Sequence, residues 1–180
     1  LRCIPNLVIM TPSNEDQCYQ MLKTGFNFNG ICMVRFPRGH GAGVKINKKS
    51  NLLTIGKSEI IRKGKEIAIL AFGPVVSTAL EVANELNATL IDMKFVKPID
   101  ENMIKKSVNN HKVIVTIEDN TILGGAGSTV IEVISKNNLK CKTICLGIPD
   151  KFLEHGTQDE IYKLCGLDKN SIIKKIVKQL

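Results

Sequence analysis

The chain has 180 residues, of which 43% are hydrophobic, and its formal net charge at pH 7 is +8. No apolar run approaches the roughly 18 to 20 residues that cross a bilayer, which argues against a membrane protein. The basic residues are scattered, and only 6 Phe and 2 Tyr, with no Trp, could stack on bases. The net charge therefore does not indicate a nucleic-acid-binding surface.

The first predicted elements are a strand, a helix and a second strand, in the segments "NLVIM" (6–10), "TPSNEDQCYQML" (11–22) and "GICMVRF" (30–36). Ser13 is the predicted helix cap, with Asp16 three residues further on as in a capping box. Together these elements predict the end of an α/β unit that covers residues 1–43.

A linker is predicted next, because residues 41–58 lose periodicity and gather Gly, Lys, Asn and Ser. We place the linker itself at residues 44–55 and a second unit at residues 56–180.

The second unit alternates strands with helices along its whole length. Its predicted strands are "EIAILAF" (66–72), "ATLIDMKFV" (88–96), "KVIVTIE" (112–118) and "CKTICLGI" (141–148). Its predicted helices are "VVSTALEVANEL" (75–86), "ENMIKKSVNN" (101–110), "GGAGSTVIEVISKN" (124–137), one that starts at Thr157, and "SIIKKIVKQL" (171–180). Asp100 is a predicted cap, and Thr157 forms a capping box with Glu160. This alternation predicts a three-layer α/β domain built on a parallel sheet.

The cysteines and the first residues of the chain indicate the cellular compartment of the protein. The six cysteines form no C-x-x-C pair and lie in apolar surroundings, which favours buried free thiols in a reducing cytosol. The segment "LRCIPN" at Leu1 has neither the basic start nor the apolar stretch of a secretory signal. We therefore expect a cytoplasmic chain that begins inside a longer protein.

Two of the four arginines, Arg35 and Arg38, flank Phe36 and Pro37 at the exit of the second predicted strand. Lysine supplies most other positive charge, so arginine here suggests a need for a planar donor to phosphate or carboxylate. Pro37 fixes its own φ and biases Phe36 toward an extended conformation, which restricts how the guanidiniums leave the strand. An ion pair between domains would favour arginine equally well, so both interpretations stay open.

The segment "GGAGSTV" (124–130) follows a strand and opens a helix, like a dinucleotide fingerprint, but Val130 stands where the third glycine belongs. Glycines for tight packing are the preferred interpretation, while an anion at the helix N-terminus stays open. Glu118 and Asp119 are adjacent, so their side chains should point to opposite sides of the strand. Capping and solvation are expected of them rather than paired acid–base catalysis.

The three histidines give no metal-binding pattern. His40, His111 and His155 lie far from one another in sequence, and no cysteine stands at metal-ligand spacing from them. His111 is expected at an exposed helix end.

Several longer segments together resemble a known family: "RCIPNLVIMTPSNEDQC", "VRFPRG", "ATLIDMKFVKPID", "GGAGS" and "GTQDEI". In this order they are similar to the C-terminal portion of the 1-deoxy-D-xylulose-5-phosphate synthases, thiamine-diphosphate enzymes of the transketolase superfamily. The resemblance implies that residues 1–43 end a pyrimidine-binding α/β domain and that residues 56–180 form a transketolase C-terminal domain.

The resemblance also implies an activity. Members of this family are transferases that join pyruvate to glyceraldehyde 3-phosphate with loss of carbon dioxide, the first step toward isoprenoids by the non-mevalonate route. Their product also feeds thiamine and pyridoxal synthesis. They use thiamine diphosphate and Mg²⁺ and are homodimers. The family's phosphate-binding arginine corresponds to Arg38, and its neighbour Arg35 is a second candidate for substrate binding.

The G-D-G motif that carries metal and diphosphate in this superfamily does not occur in the chain. We therefore expect no catalytic, cofactor-binding or metal-binding residue in it, and no activity from it alone. The alternative is an inactive α/β module for anion binding or dimerisation. Nonspecific nucleic-acid binding through net charge is a third hypothesis.

Overall fold

The computed structural model describes residues 1–38 and 41–180, which form two β-sheets and six α-helices. The strands are β1 (Val8–Met10), β2 (Cys32–Val34), β3 (Glu59–Arg62), β4 (Lys65–Phe72), β5 (Ala88–Asp92), β6 (Phe95–Lys97), β7 (Val113–Thr121) and β8 (Lys142–Ile148). The helices are α1 (Glu15–Phe26), α2 (Val76–Glu85), α3 (Glu101–Asn110), α4 (Ala126–Lys136), α5 (Gln158–Cys165) and α6 (Lys169–Lys178). None of the described helices is long and apolar enough to cross a membrane.

The larger sheet has the strand order β3-β5-β4-β7-β8. Strands β5, β4, β7 and β8 are parallel, with Ala68 of β4 opposite Ile114 of β7. Successive residues of β4 face opposite sides, because side chains alternate along a strand. Ile67 and Ile69 pack in a core with α2, α5 and α6, whereas Ala68 and Leu70 pack in a second core with α3 and α4. The predicted three-layer α/β architecture is confirmed.

Strand β3 is an element that the sequence analysis missed, and it makes the sheet mixed rather than purely parallel. It pairs antiparallel with β5 at the sheet edge. Its last residue, Arg62, donates hydrogen bonds to the Ala88 carbonyl (2.6 Å) and to the side chains of Asn84 and Asn87. These bonds hold the short strand in place. They could not be predicted from a local sequence pattern, because the partners are 22 to 26 residues from Arg62.

The smaller sheet has the order β2-β1-β6, with β1 and β2 parallel and β6 antiparallel to β1. The prediction that residues 88–96 form one strand was wrong. Lys94 has a left-handed backbone (φ 57°), and its N–H donates to Asp92 Oδ1 at 3.1 Å, so the chain turns between β5 and β6. Phe95 then enters the core of the small sheet beside Met10 and Met21. The small sheet thus contains strands from both predicted units.

Two further predictions were wrong, one about the cap of α1 and one about the burial of the cysteines. Asn14, not Ser13, caps α1, because the Asn14 side chain accepts the Gln17 N–H at 2.9 Å. The predicted caps at Asp100 and Thr157 are confirmed, and Thr157 forms its capping box with Glu160. All cysteines are free, as expected, but only Cys165 is buried, whereas the other five are half-buried or exposed.

Candidate functional site

The predicted arginine pair lies where the small sheet meets the large one. The backbone N–H of Arg35, the residue after β2, donates to the Met10 carbonyl at 2.8 Å and so prolongs the β1–β2 pairing. Its guanidinium Nη1 donates to Asp119 Oδ2 at 3.1 Å, across to β7 of the large sheet. For Arg35, the ion pair between the two predicted units is therefore what the structure contains.

Arg38 differs from Arg35 in its surroundings. It is exposed, and it makes no hydrogen bond or salt bridge with any other residue in the part of the chain that the structure describes. Phe36 between them is also largely exposed. The next two residues, at positions 39 and 40, lie outside the described residues, so the expectation that His40 is not a metal ligand has no structural counterpart here.

Asp119 joins Arg35 to a third element, α5. The Tyr162 hydroxyl lies beside the Asp119 carboxylate and accepts a hydrogen bond from Gln158 Nε2 at 2.9 Å. Burial raises the pKa of Tyr162, and the neighbouring Asp119 carboxylate raises it further, so the phenol stays protonated. Sequence analysis did not anticipate Tyr162, because 127 residues separate it from Arg35. We call Arg35, Asp119 and Tyr162 the strand-exit network.

Two open clefts border this network. The first, about 270 Å³, is lined by Arg2, Thr11, Arg35, Glu118 and Asp119 among others. The second, about 390 Å³, is lined by Phe36, Pro37, Gln158 and Tyr162 among others. Within the first cleft Arg2 already forms a two-pronged ion pair with Glu132 at 2.7 and 2.8 Å.

The Glu118 side chain caps the N-terminus of α4. Its two carboxylate oxygens accept the N–H groups of Ala126 (2.7 Å) and Gly127 (2.8 Å). The expected capping role is confirmed, but the expected solvation was wrong, because Glu118 and Asp119 are both buried. Burial raises the pKa of Glu118, and the hydrogen bonds from Gly127 and Ala126 oppose that rise. The anion at this helix terminus is the protein's own carboxylate.

The glycines before α4 allow that approach. A Cβ on Gly127 would lie 2.6 Å from Thr116 Oγ1 and 3.2 Å from Glu118 Oε1, and a Cβ on Gly125 would overlap the Glu118 carboxylate. This supports the interpretation of "GGAGSTV" as tight packing rather than a phosphate cradle.

A second buried carboxylate, Asp92, links the two predicted units from the end of β5. Its Oδ2 accepts the side-chain amide of Gln17 on α1 at 2.8 Å. Burial raises the pKa of Asp92, and hydrogen bonds from Gln17 and Ser13 oppose that rise. Sequence analysis gave no signal for this contact.

The described histidines do not gather into a site. His111 ends α3 as expected, but it is half-buried, with Nδ1 2.8 Å from the Ser107 carbonyl and Nε2 2.8 Å from Thr89 Oγ1. His155 is exposed. Among residues 1–38 and 41–180, no group of three or more His, Cys, Asp or Glu side chains could hold a metal ion.

Comparison with known proteins places the architecture in a family. The family described as "Transketolase, C-terminal domain" matches residues 56–172. The chain belongs to the transketolase C-terminal domain family. The match covers the large sheet and most of its helices, from before β3 into α6.

Curated relatives extend the similarity of this transketolase-family chain beyond the matched domain. The chain is 50% identical to the 1-deoxy-D-xylulose-5-phosphate synthase of Psychromonas ingrahamii over 177 residues, 98% of this chain and 28% of that protein. It is 49% identical to the synthase of Vibrio parahaemolyticus over 180 residues, 100% of this chain and 29% of that protein. The chain thus spans under a third of the length of these relatives, as a C-terminal portion of them.

Solved structures support the same transketolase fold. A structure titled "Split gene transketolase, inactive beta4 tetramer" superposes with a TM-score of 0.83 at 24% identity, covering 98% of this chain and 58% of that chain. The transketolase of Campylobacter jejuni superposes with a TM-score of 0.72 at 15% identity, covering 98% of this chain and 27% of that one. At these identities the superpositions bear on the fold alone.

Proposed function

We propose that this chain forms the C-terminal part of a 1-deoxy-D-xylulose-5-phosphate synthase, which condenses pyruvate with glyceraldehyde 3-phosphate and releases carbon dioxide. The observation that carries the proposal is the 50% identity to a curated synthase over 98% of this chain. The similarity extends through residues 1–43 and 44–55, before the family match begins. We assign these segments to the end of a pyrimidine-binding domain and a linker, and residues 56–180 to the C-terminal domain.

Arg38 is assigned to the phosphate of glyceraldehyde 3-phosphate. Its guanidinium is exposed and therefore accessible to a ligand. A guanidinium donates two parallel hydrogen bonds to phosphate oxygens. Binding the phosphate away from the reacting carbonyl holds the acceptor aldehyde in position for the condensation.

Arg35 contributes to the same site indirectly. Its side chain is 36% exposed, while the Asp119 side chain that pairs with it is only 8% exposed. The pairing directs the guanidinium toward the protein and offsets its charge, so Arg35 acts on the site through its position rather than by contacting the phosphate.

We assign thiamine diphosphate and Mg²⁺ to the part of the synthase that lies outside this chain. The described residues hold no metal-binding cluster, and the sequence has no G-D-G motif. Thiamine diphosphate supplies the carbanion chemistry of such an enzyme. The share of this chain in the proposed reaction is acceptor binding and support of the fold.

A cytoplasmic homodimer is part of the same proposal. Large apolar side chains are exposed around the loops that follow β7 and β8, among them Leu123 and Phe152, and such side chains favour subunit packing. The free cysteines suit a reducing compartment.

The test is a chimera in which this chain replaces the matching residues of the Psychromonas ingrahamii synthase. With thiamine diphosphate and Mg²⁺, the chimera should convert pyruvate and glyceraldehyde 3-phosphate to 1-deoxy-D-xylulose 5-phosphate, whereas the 180-residue chain alone should not. A folded chimera that binds the cofactor but gives no product would contradict the proposal. It would then favour the alternative of an inactive module for anion binding or dimerisation.

A further inference from the structure

The strand-exit network joins three separate parts of the chain at one point. Arg35 follows β2 of the small sheet, Asp119 lies within β7 of the large sheet, and Tyr162 lies on α5. The bond from Arg35 Nη1 to Asp119 Oδ2 is 3.1 Å long, and the Tyr162 hydroxyl lies near enough to the same carboxylate for that charge to raise the pKa of the phenol. Arg35, the residue after β2, is therefore bonded to β7 in the second predicted unit as well as to β1 in its own sheet.

Burial of Asp119 makes its ion pair with Arg35 costly to break. The Asp119 side chain is 8% exposed, and a carboxylate so far removed from water needs a cation or hydrogen-bond donors. Arg35 is the cation that meets it in the described part of the chain. Separating the two would leave the charge of Asp119 without its partner, so the contact restrains where the Arg35 side chain lies.

Arg35 is thus held at two points, and Arg38 is three residues away. The backbone N–H of Arg35 is bound to the Met10 carbonyl at 2.8 Å, and its side chain is bound to Asp119. Between the arginines, Pro37 fixes its own φ and restricts Phe36. The backbone between the fixed residue and Arg38 is therefore restricted at Phe36 and Pro37, which limits where the Arg38 side chain starts.

We propose that Asp119 is a positioning residue for the acceptor phosphate, acting through Arg35 on the direction in which Arg38 leaves the strand. Tyr162 supports Asp119 from α5. This inference rests on the proposed function of Arg38 and adds a residue of the large sheet to the acceptor site.

The chimera described above tests the inference through the Asp119→Asn variant. Displacing Arg38 by a fraction of an ångström should raise KM for glyceraldehyde 3-phosphate by about 5- to 20-fold, because phosphate contacts depend steeply on geometry. KM for pyruvate should change by less than about twofold, since that substrate has no phosphate for Arg38 to bind. Asp119→Glu, which keeps the charge, should recover most of the loss.

Glu66→Gln is the matched control, because Glu66 pairs with Lys112 on the surface, at the opposite end of the strands from Asp119. It removes one carboxylate charge and should leave both KM values unchanged. Equal losses in Asp119→Asn and Glu66→Gln would overturn the inference.

Arg38→Lys separates the inference from the function on which it rests. In the chimera, the Asp119→Asn and Arg38→Lys effects on KM for glyceraldehyde 3-phosphate should be less than additive, because both act on one contact. If Arg38→Lys raises this KM and Asp119→Asn does not, the positioning role fails and the proposed function stands. If Arg38→Lys leaves it unchanged, the proposed phosphate site fails, and the positioning role with it.

Tyr162→Phe provides a second variant in case Asp119→Asn does not fold. It removes the hydroxyl beside the Asp119 carboxylate and with it the support that α5 gives to the Arg35–Asp119 pair. We expect KM for glyceraldehyde 3-phosphate to rise by about two- to threefold with KM for pyruvate unchanged. Unaltered values for both substrates would overturn the inference.

Discussion

The side-chain amide of Gln17 donates a hydrogen bond to the Asp92 carboxylate at 2.8 Å, although 75 residues separate them. Both residues are buried. This bond joins α1, which packs on the small sheet, to the end of β5 in the large sheet. It makes the contact between the two predicted units depend on a few polar side chains as well as on apolar packing.

Replacing Gln17 by Met should destabilise the chain by about 1.5–3 kcal/mol, because a buried carboxylate loses one hydrogen-bond donor while the side-chain volume is kept. Urea denaturation measures the free energy of unfolding. Gln20→Met is the control, since Gln20 bonds to Asp16 on the same helix, where both side chains are only half-buried. That variant should cost a few tenths of a kcal/mol at most. Similar losses in the two variants would mean that the Asp92 contact has no special weight.

The stability of the chain should depend on pH through Asp92. Burial raises the pKa of this carboxyl, so between the unfolded and folded pKa values the folded state binds the proton more tightly than the unfolded state. The stability that Asp92 contributes is fully present below its unfolded pKa of about 3.9 and is lost as pH rises through the folded value. The difference in unfolding free energy between wild type and Asp92→Asn should therefore shrink as pH rises above about 4.

Asp168→Asn provides a control with the opposite sign. Asp168 caps α6, and its hydrogen bond with Ser171 lowers the pKa of this carboxyl. Its contribution is present above the unfolded pKa and is lost as pH falls through the folded value. Urea denaturation across the acidic range should give opposite trends for the two variants. Parallel trends would show that the Asp92 carboxyl does not titrate as its burial implies.

A methyl group on Gly125 should be poorly tolerated, because it would overlap the Thr121 carbonyl and the Glu118 carboxylate that caps α4. We expect Gly125→Ala to cost about 2–4 kcal/mol, in the range of substitutions that disrupt a buried hydrogen-bonded group. Gly124→Ala is the neighbouring comparison, since nothing lies within 4 Å of its Cβ position and only its φ of 68° is unfavourable. It should cost about 1 kcal/mol. Thermal unfolding of the two variants in parallel would contradict this account if Gly124→Ala were the more damaging.

Arg38→Lys in the chimera should raise KM for glyceraldehyde 3-phosphate by about 10- to 100-fold, the equivalent of a hydrogen bond to a charged group worth ~1.5–3 kcal/mol. Decarboxylation of pyruvate without acceptor should change much less. Arg62→Lys is the control, because Arg62 holds the edge strand β3 through the Ala88 carbonyl where β5 begins, at the opposite end of the parallel strands from the strand-exit network. It should lower thermal stability without altering either KM. If Arg38→Lys impaired the use of glyceraldehyde 3-phosphate and the decarboxylation of pyruvate equally, the result would count against the assignment of Arg38 to the phosphate.

The alternation of strands and helices was readable from the sequence because it depends on local periodicity. Runs such as "EIAILAF" are almost entirely apolar because β4 is buried on both faces. The capping box of α5 is equally local, because Thr157 and Glu160 are only three residues apart. The split of residues 88–96 into β5 and β6 was not readable. It depends on the turn at Lys94 and on the place that the small sheet offers to Phe95.

The candidate site divides in the same way. The sequence by itself determined that two arginines leave one strand around a proline, that Glu118 and Asp119 stand together at the exit of another strand, and which family the segments resemble. Only the tertiary structure decided that Arg35 turns to Asp119 while Arg38 stays exposed, and that Tyr162 lies beside the same carboxylate. Arg35 and Asp119 are 84 positions apart, so no local pattern links them, and the burial that shapes the network is a property of the folded chain.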